Sequence, residues 1–344
     1  MKELLHLAKV FPLIVCLLAA PAIRAADLAV GGGSEETIAL AGEIESDLAD
    51  GGGKYSLSLH AGGGTSAYAV VQREGQGVLG ALIPNNSANY ITGEVNAWSL
   101  GRALGCAELF QPAVRVSLRG KGLQTFRTLL RQVSYKGNKE QNRVDILKQI
   151  EHEPDALPVA FKRWAQNKKD YPIEVGNTLN TRDTIARYLR SDAPEPTDVT
   201  VTIRGATATQ RDLARQLSNI FLVDALCGQW DRFSGGNLHT NVQDGHVQFM
   251  ALDNGGASIT GPLRYTTKYT NLVSRFDKDV ADRLLGMDAL LNGGHEFAGF
   301  TDAHAFAEAV GCQKPREQEF LAKRVHLVAA HVRETIVKPH GTFE

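Results

Sequence analysis

Two carboxylates and an amide in the last third of the chain stand at spacings that suit phosphoryl chemistry. The window reads Cys227-Gly-Gln-Trp-Asp231-Arg-Phe-Ser-Gly-Gly-Asn237, and further on Leu252-Asp253-Asn254-Gly255. Helical spacing of apolar residues over 209–226 predicts a long helix that delivers Asp231 into a glycine-containing loop. Residues 237–241 and 247–252, joined by Gln243-Asp244-Gly245, predict a β-hairpin that brings Asp253 back beside Asn237. Phosphoryl transfer uses such a set: one carboxylate to orient or deprotonate the attacking hydroxyl, and an Asn with an Asp to hold divalent metal against nucleotide phosphates. Paired carboxylates also serve hydrolysis, and an unrelated hydrolase using Asp231 and Asp253 is a competing reading. Taken singly, each feature has an ordinary explanation. Asp-Asn-Gly is a common turn, Asp231-Arg232 a surface ion pair, and Glu94 a solvated acid at a helix start. Their order along the chain is what points to a site.

The elements that must position these residues come from a folded globular chain. It has 344 residues, 43% hydrophobic and 22% charged, which excludes disordered and fibrous classes. Lys plus Arg (37) nearly equals Asp plus Glu (38), so charge alone draws the chain neither to nucleic acid nor to an anionic membrane. Residues 1–25 read as an export signal: Lys2 and Lys9, an apolar run over 10–20 broken by Pro12, and small residues at Ala20-Pro21-Ala22 or Ala25-Ala26. The run falls short of the roughly 20 residues of a membrane span, so a periplasmic or secreted protein with no span after signal removal is expected. An uncleaved anchor stays open. The residues ahead of Cys16 do not suit lipidation. Cys106, Cys227 and Cys312 remain, compatible with one disulfide of undetermined pairing or with three buried thiols.

Residues 26–53 predict a flexible lead, a short helix over 35–48 and a Gly51-Gly52-Gly53 stop. A three-stranded antiparallel meander follows over 55–83, with Gly62, Gly63, Gly64, Thr65 and Ser66 between its first two strands. That glycine run is, in most chains, a plain hairpin connection. The period then shifts to helical from Glu94 to Gly105, returns to strand over 112–118, and is mostly helical afterwards. Residues 192–198, with two prolines, predict a loop, and the basic stretch 162–169 a solvated helix face. His326, His331 and His295 lack the partners of a metal motif.

From these residues the chain resembles the divergent branch of the kinase-like superfamily that holds phosphatidylinositol 3-kinases, HipA-like kinases, actin-fragmin kinase and secretory-pathway kinases. The resemblance spans roughly residues 55–335 and is strongest at 227–256 and 94–118. It implies an α+β, two-lobed fold: a small β-rich lobe over 54–118 and a larger, mostly helical lobe over 119–344, after the signal (1–25) and an N-terminal helix and linker (26–53). It further implies Asp231 as catalytic base, Asn237 and Asp253 as ligands of Mg²⁺ or Mn²⁺, residues 62–66 over the phosphates of ATP, and Glu94 as the partner of a nucleotide-binding lysine. Transfer of the ATP γ-phosphoryl group to a hydroxyl on a protein or glycan follows. Two departures stand out. Asp231 and Asn237 are six residues apart where the family has five, and Ile83 occupies the end of the third strand where its lysine is expected. Either Lys54, Arg73 or Arg115 substitutes, or the protein is a pseudokinase that binds without catalysing.

Overall fold

The computed structural model describes residues 33–60, 66–86, 90–165, 168–203, 205–243 and 245–343. The expected export signal and the glycine-turn residues Gly62, Gly63, Gly64 and Thr65 lie outside the described residues.

Helix α1 (Gly33–Asp50) opens with Glu35 and Glu36, which complement the positive end of its dipole. Its Ala41, Ile44 and Leu48 recur every three to four residues and are buried. Strands β1 (Tyr55–Leu59), β2 (Ala69–Arg73) and β3 (Gly77–Pro84) then form the antiparallel meander. Helix α2 (Ile91–Leu104) ends at Gly105, whose φ of 80° is the left-handed conformation glycine tolerates best. Strand β4 (Ala113–Arg119), helices α3 (Gly120–Gln132) and α4 (Asn138–His152), and strand β5 (Ala156–Arg163) complete the first half.

The sheet order is β1-β2-β3-β5-β4, so β5 inserts between β3 and β4 and runs antiparallel to both. The sheet therefore continues past residue 118 into a stretch read from sequence as helical. Burial on both faces explains why: Leu157, Val159, Ala160 and Phe161 form a nearly continuous apolar run, the mark of a central strand. The basic stretch 162–169 is accordingly no solvated helix face. Lys162 is the penultimate residue of β5, and Lys169 begins the short strand β6 (Lys169–Asp170).

One core lies where α1, α3 and α4 cover the sheet. Ile44, Leu123, Phe126 and Ile146 meet Val71, Leu82, Val159 and Phe161, each contributing about 1.5–3 kcal/mol through burial. Helix α2 lies between this sheet and the helical half, and residues 93–104 are all buried.

The second half contains the small strands β7 (Glu174–Val175), β8 (Thr178–Leu179), β9 (Thr200–Ile203) and β10 (Ala206–Thr209), then helix α5 (Gln210–Cys227). The hairpin β11 (Leu238–Gln243) and β12 (His246–Ala251) follows, and α6 (Arg264–Thr270), α7 (Lys278–Gly293), α8 (Ala303–Ala309) and α9 (Pro315–Ile336) close the chain. The second sheet has the order β6-β11-β12-β10-β9. Thr209 caps α5 by accepting the Asp212 N–H. The helix stops at Gly228, where φ is 66° and a Cβ would stand 2.6 Å from the Arg324 guanidinium, so both conformation and space demand glycine. The second core joins α5, α7, α9 and β12 through Leu217, Phe221, Phe249, Leu284, Val325 and Val328. Cys106, Cys227 and Cys312 are free and buried, and burial pushes the Cys312 thiol up to about 12. Among the described residues no helix is long and apolar enough to cross a membrane.

Candidate active site

The loop leaving α5 is pinned between Asp231 and Asn237. The Phe233 ring packs edge-on to Phe221 at 5.5 Å and lies 5.9 Å from Tyr269, anchoring the loop to the second core. Gly235 and Gly236 have φ of 93° and 73°, which accommodates the extra residue between Asp231 and Asn237. Asn237 folds back on the loop: its Nδ2 donates to the Asp231 carbonyl at 2.7 Å and to Ser234 Oγ at 3.1 Å. The amide oxygen is thereby left as the atom it can offer a cation. The Asp231 carboxyl is half-buried and sits above the usual carboxylate range. Desolvation is the main cause and the charge of Asp253 adds to it, while Ser234 and Asn237 pull the other way.

The hairpin returns the chain to the same place. Leu252 donates its N–H to the Asn237 carbonyl at 3.0 Å, and Asp253 follows in the left-handed conformation at φ 50°, ψ 52°. Aspartate is one of the few side chains enriched there. Beneath the turn lies Arg232, fully buried. It forms a two-pronged ion pair with Asp224 of α5, both contacts at 2.9 Å. It also donates to the carbonyls of Asn237 (2.6 Å) and Leu252 (2.7 Å) and to Asn254 Oδ1 (2.7 Å). The Asp231-Arg232 dipeptide is therefore no surface ion pair. Its arginine ties helix, loop, hairpin and the Asp253-Asn254-Gly255 turn together. A carboxylate at 224, on the buried stripe that includes Leu217 and Phe221, was the sequence signal for it.

From the other half, α2 brings Glu94 to the cleft. Gly93 permits the approach, since a Cβ there would stand 2.5 Å from the Ala257 carbonyl and 2.6 Å from that of Asn254. Tyr90 donates its N–H to the Gly255 carbonyl at 2.9 Å, tethering the helix start to the turn that carries Asp253. Glu94 is completely buried and is no solvated acid: Lys162 Nζ donates to its Oε1 at 2.7 Å. Burial by itself would lower the Lys162 pKa, but the carboxylates of Glu94 and Asp253 outweigh it and hold the ammonium above its ordinary value.

Lys162 is the residue that sequence reasoning missed. It lies on β5 directly across from Ala81 of β3, in the cleft lined also by Ser66, Tyr68, Ile83, Asn237 and Asp253. The three candidates chosen from sequence are engaged elsewhere: Lys54 with Glu43, Arg73 with Gln76, and Arg115 with Gln313. The available signal was a buried acid at the start of α2 that needed a cation, and an apolar run ending in lysine. Ser66 faces the same cleft and accepts from Asn86 Nδ2 at 3.3 Å.

A divalent cation fits this donor set. Asp253 and the Asn237 amide oxygen offer two hard ligands in the cleft, and the orphaned, buried Glu94 Oε2 lies behind Lys162. Among the described residues no three His, Cys, Asp or Glu side chains form a closed metal cage. Sparse protein ligation is what a metal held jointly with substrate phosphates requires.

No protein-family model matches the sequence, and no curated protein matches it. Solved structures do. The crystal structure of the Golgi casein kinase with Mn/ADP bound superposes with a TM-score of 0.54 at 13% identity, over 87% of this chain and 76% of that one. The structure of hydra Fam20 with sugar gives 0.53 at 13% identity, over 87% and 90%. A further crystal structure of the Golgi casein kinase gives 0.53 at 13% identity, over 88% and 78%. At that identity the likeness is one of fold: the chain has a divergent kinase-like fold, a β-sheet region first and a helical region after it.

Proposed function

We propose that this chain is an ATP-dependent phosphotransferase that moves the γ-phosphoryl group to a hydroxyl on a protein or glycan, with residues 1–25 directing its export. The observation that carries the reading is Lys162, which lines one cleft with Asp253 and Asn237 and is paired at 2.7 Å with the buried Glu94 behind it. Lys162 supplies the cationic contact to nucleotide phosphates, and Glu94 holds its ammonium in place. Asp253 and Asn237 hold Mg²⁺ or Mn²⁺, which when bound neutralises charge on the transferring phosphoryl group. Asp231 orients the acceptor hydroxyl and takes its proton, and its raised pKa makes it a better base than an exposed aspartate. Ser66, with the glycine turn before it, covers the phosphates. The Mn/ADP bound to the Golgi casein kinase and the sugar held by hydra Fam20 support the choice of cofactor and of acceptor class. The competing pseudokinase reading rests on Ile83 and on the widened loop from Asp231 to Asn237; Lys162 on the strand beside Ile83 and the positive φ of Gly235 and Gly236 favour the active reading.

Thermal and chemical unfolding with and without ATP and Mn²⁺, beside an Asp253→Ala variant, tests the proposal. Ligand at 100 times its dissociation constant stabilises the chain by about 2.7 kcal/mol. The gain is expected only with metal and nucleotide together and is lost in Asp253→Ala. Absence of any gain in the unaltered chain overturns the reading.

A further inference from the structure

The cleft contains a histidine to which the phosphotransfer chemistry assigns no task. His239 lies on β11, two residues beyond Asn237; both line the cleft, and His239 is only 7% exposed. Its Nε2 stands 2.7 Å from the Gly236 carbonyl oxygen and 3.1 Å from Asp170 Oδ1 of the paired strand β6. Both neighbours only accept, so Nε2 carries the ring proton and Nδ1 keeps its lone pair. That Nδ1 is buried and has no partner. A buried acceptor without a donor is a standing cost, which a ligand supplying the donor relieves.

The surroundings specify the shape of such a ligand. Tyr68 and Trp164 line the same cleft, and the Tyr68 ring is itself stacked on His60 at 4.8 Å with 12° between planes. Two aromatic side chains and one unpaired acceptor in the same cleft suit a planar heterocycle bearing an N–H donor. Lys162 and Asp253 take the phosphate end of the cleft under the phosphotransferase reading, on which this inference rests, so the heterocycle is the nucleobase.

We propose that His239 determines base specificity, its Nδ1 accepting a hydrogen bond from the exocyclic amino group of a purine. A purine with a carbonyl in that place sets lone pair against lone pair and leaves Nδ1 without its donor. Sites built around such a bond discriminate strongly, because the analogue strands a buried polar atom.

The test is titration of the full chain with Mn²⁺ and either ATP or inosine triphosphate, two ligands that share the triphosphate and sugar and differ at C6, amino against carbonyl, and in the proton that the carbonyl form carries on N1. The unaltered chain is expected to bind ATP at least about tenfold more tightly. His239→Phe, which keeps a flat ring without the acceptor, brings the two affinities to within about threefold of each other. His239→Asn, whose Oδ1 replaces Nδ1 as acceptor, retains the preference. Equal or inverted affinities in the unaltered chain overturn the assignment, as does a preference that survives in His239→Phe. If the Phe variant does not fold, the comparison within the unaltered chain and the Asn variant still decide it. Binding of neither nucleotide overturns the phosphotransferase reading itself, whereas equal binding of both overturns only the role of His239.

Discussion

Replacing Lys162 with alanine is expected to damage the protein twice, once in its folding and once in its chemistry. Glu94 is fully buried and Lys162 Nζ donates to one of its carboxylate oxygens, so removing the ammonium leaves an uncompensated charge inside the fold. Breaking a buried pair from one side costs about 3–5 kcal/mol, read as a lower denaturation midpoint at unchanged slope. The chemical loss is separate. Under the proposed function the ammonium is lost from the phosphates, and phosphotransfer is expected to fall by about 10²–10³, the effect of deleting one preorganised electrostatic contact. A paired substitution distinguishes the two. Lys162→Met with Glu94→Leu removes both charges and returns stability toward that of the unaltered chain, as apolar replacement of buried ion pairs commonly does. It does not return the stabilisation by Mn²⁺ and ATP. A Lys162→Ala chain that unfolds like the unaltered one and still gains stability from Mn²⁺ and ATP would remove Lys162 from the site.

The same lysine shows where reading the sequence reached its physical limit. The meander of β1 to β3, helix α2, helix α5 and the β11–β12 hairpin are all local patterns, punctuated by glycines that the backbone needs at positive φ, such as Gly105 and Gly228. Periodicity and turn chemistry locate such elements from a short window. Strand β5 is different in kind. Its partners, β3 and β4, lie far back in the chain, with two helices between β4 and β5, and no local rule reports that pairing. Pro158 within its apolar run also argued against a central strand. With β5 unseen, Lys162 had no place in the sheet and Ile83 seemed to leave the nucleotide without a cation. Asp231, Asn237 and Asp253 were legible because they belong to one contiguous loop–hairpin–turn unit. Glu94 was legible as a residue but not as a buried one, since its burial depends on Gly93 letting α2 close onto the Asn254 and Ala257 carbonyls.

Arg232 carries the other large effect, and it too depends on contacts made at a distance. All five of its N–H directions reach acceptors: two on Asp224, two backbone carbonyls, and Asn254 Oδ1. Lysine at this position keeps the charge and loses the planar fork, so it cannot hold Asp224, both hairpin strands and the Asp253 turn at once. Arg232→Lys is therefore expected to cost about 3–5 kcal/mol, close to outright removal of one partner of a buried pair. It should also weaken stabilisation by Mn²⁺ and ATP in the fraction that remains folded, because the carbonyls it holds belong to Asn237 and to Leu252, the neighbour of Asp253, the two residues proposed to bind metal. Asp224→Leu combined with Arg232→Met separates charge from anchorage. The double variant is less destabilised than the sum of its single changes, since no lone charge is left buried, yet it still lacks the donors that fix the hairpin to the turn. Its response to Mn²⁺ and ATP stays impaired while its denaturation midpoint partly recovers. A lysine variant within about 1 kcal/mol of the unaltered chain and with an undiminished ligand response would mean that the hairpin and the Asp253 turn hold their geometry without the fork, leaving Arg232 as a simple counter-charge for Asp224.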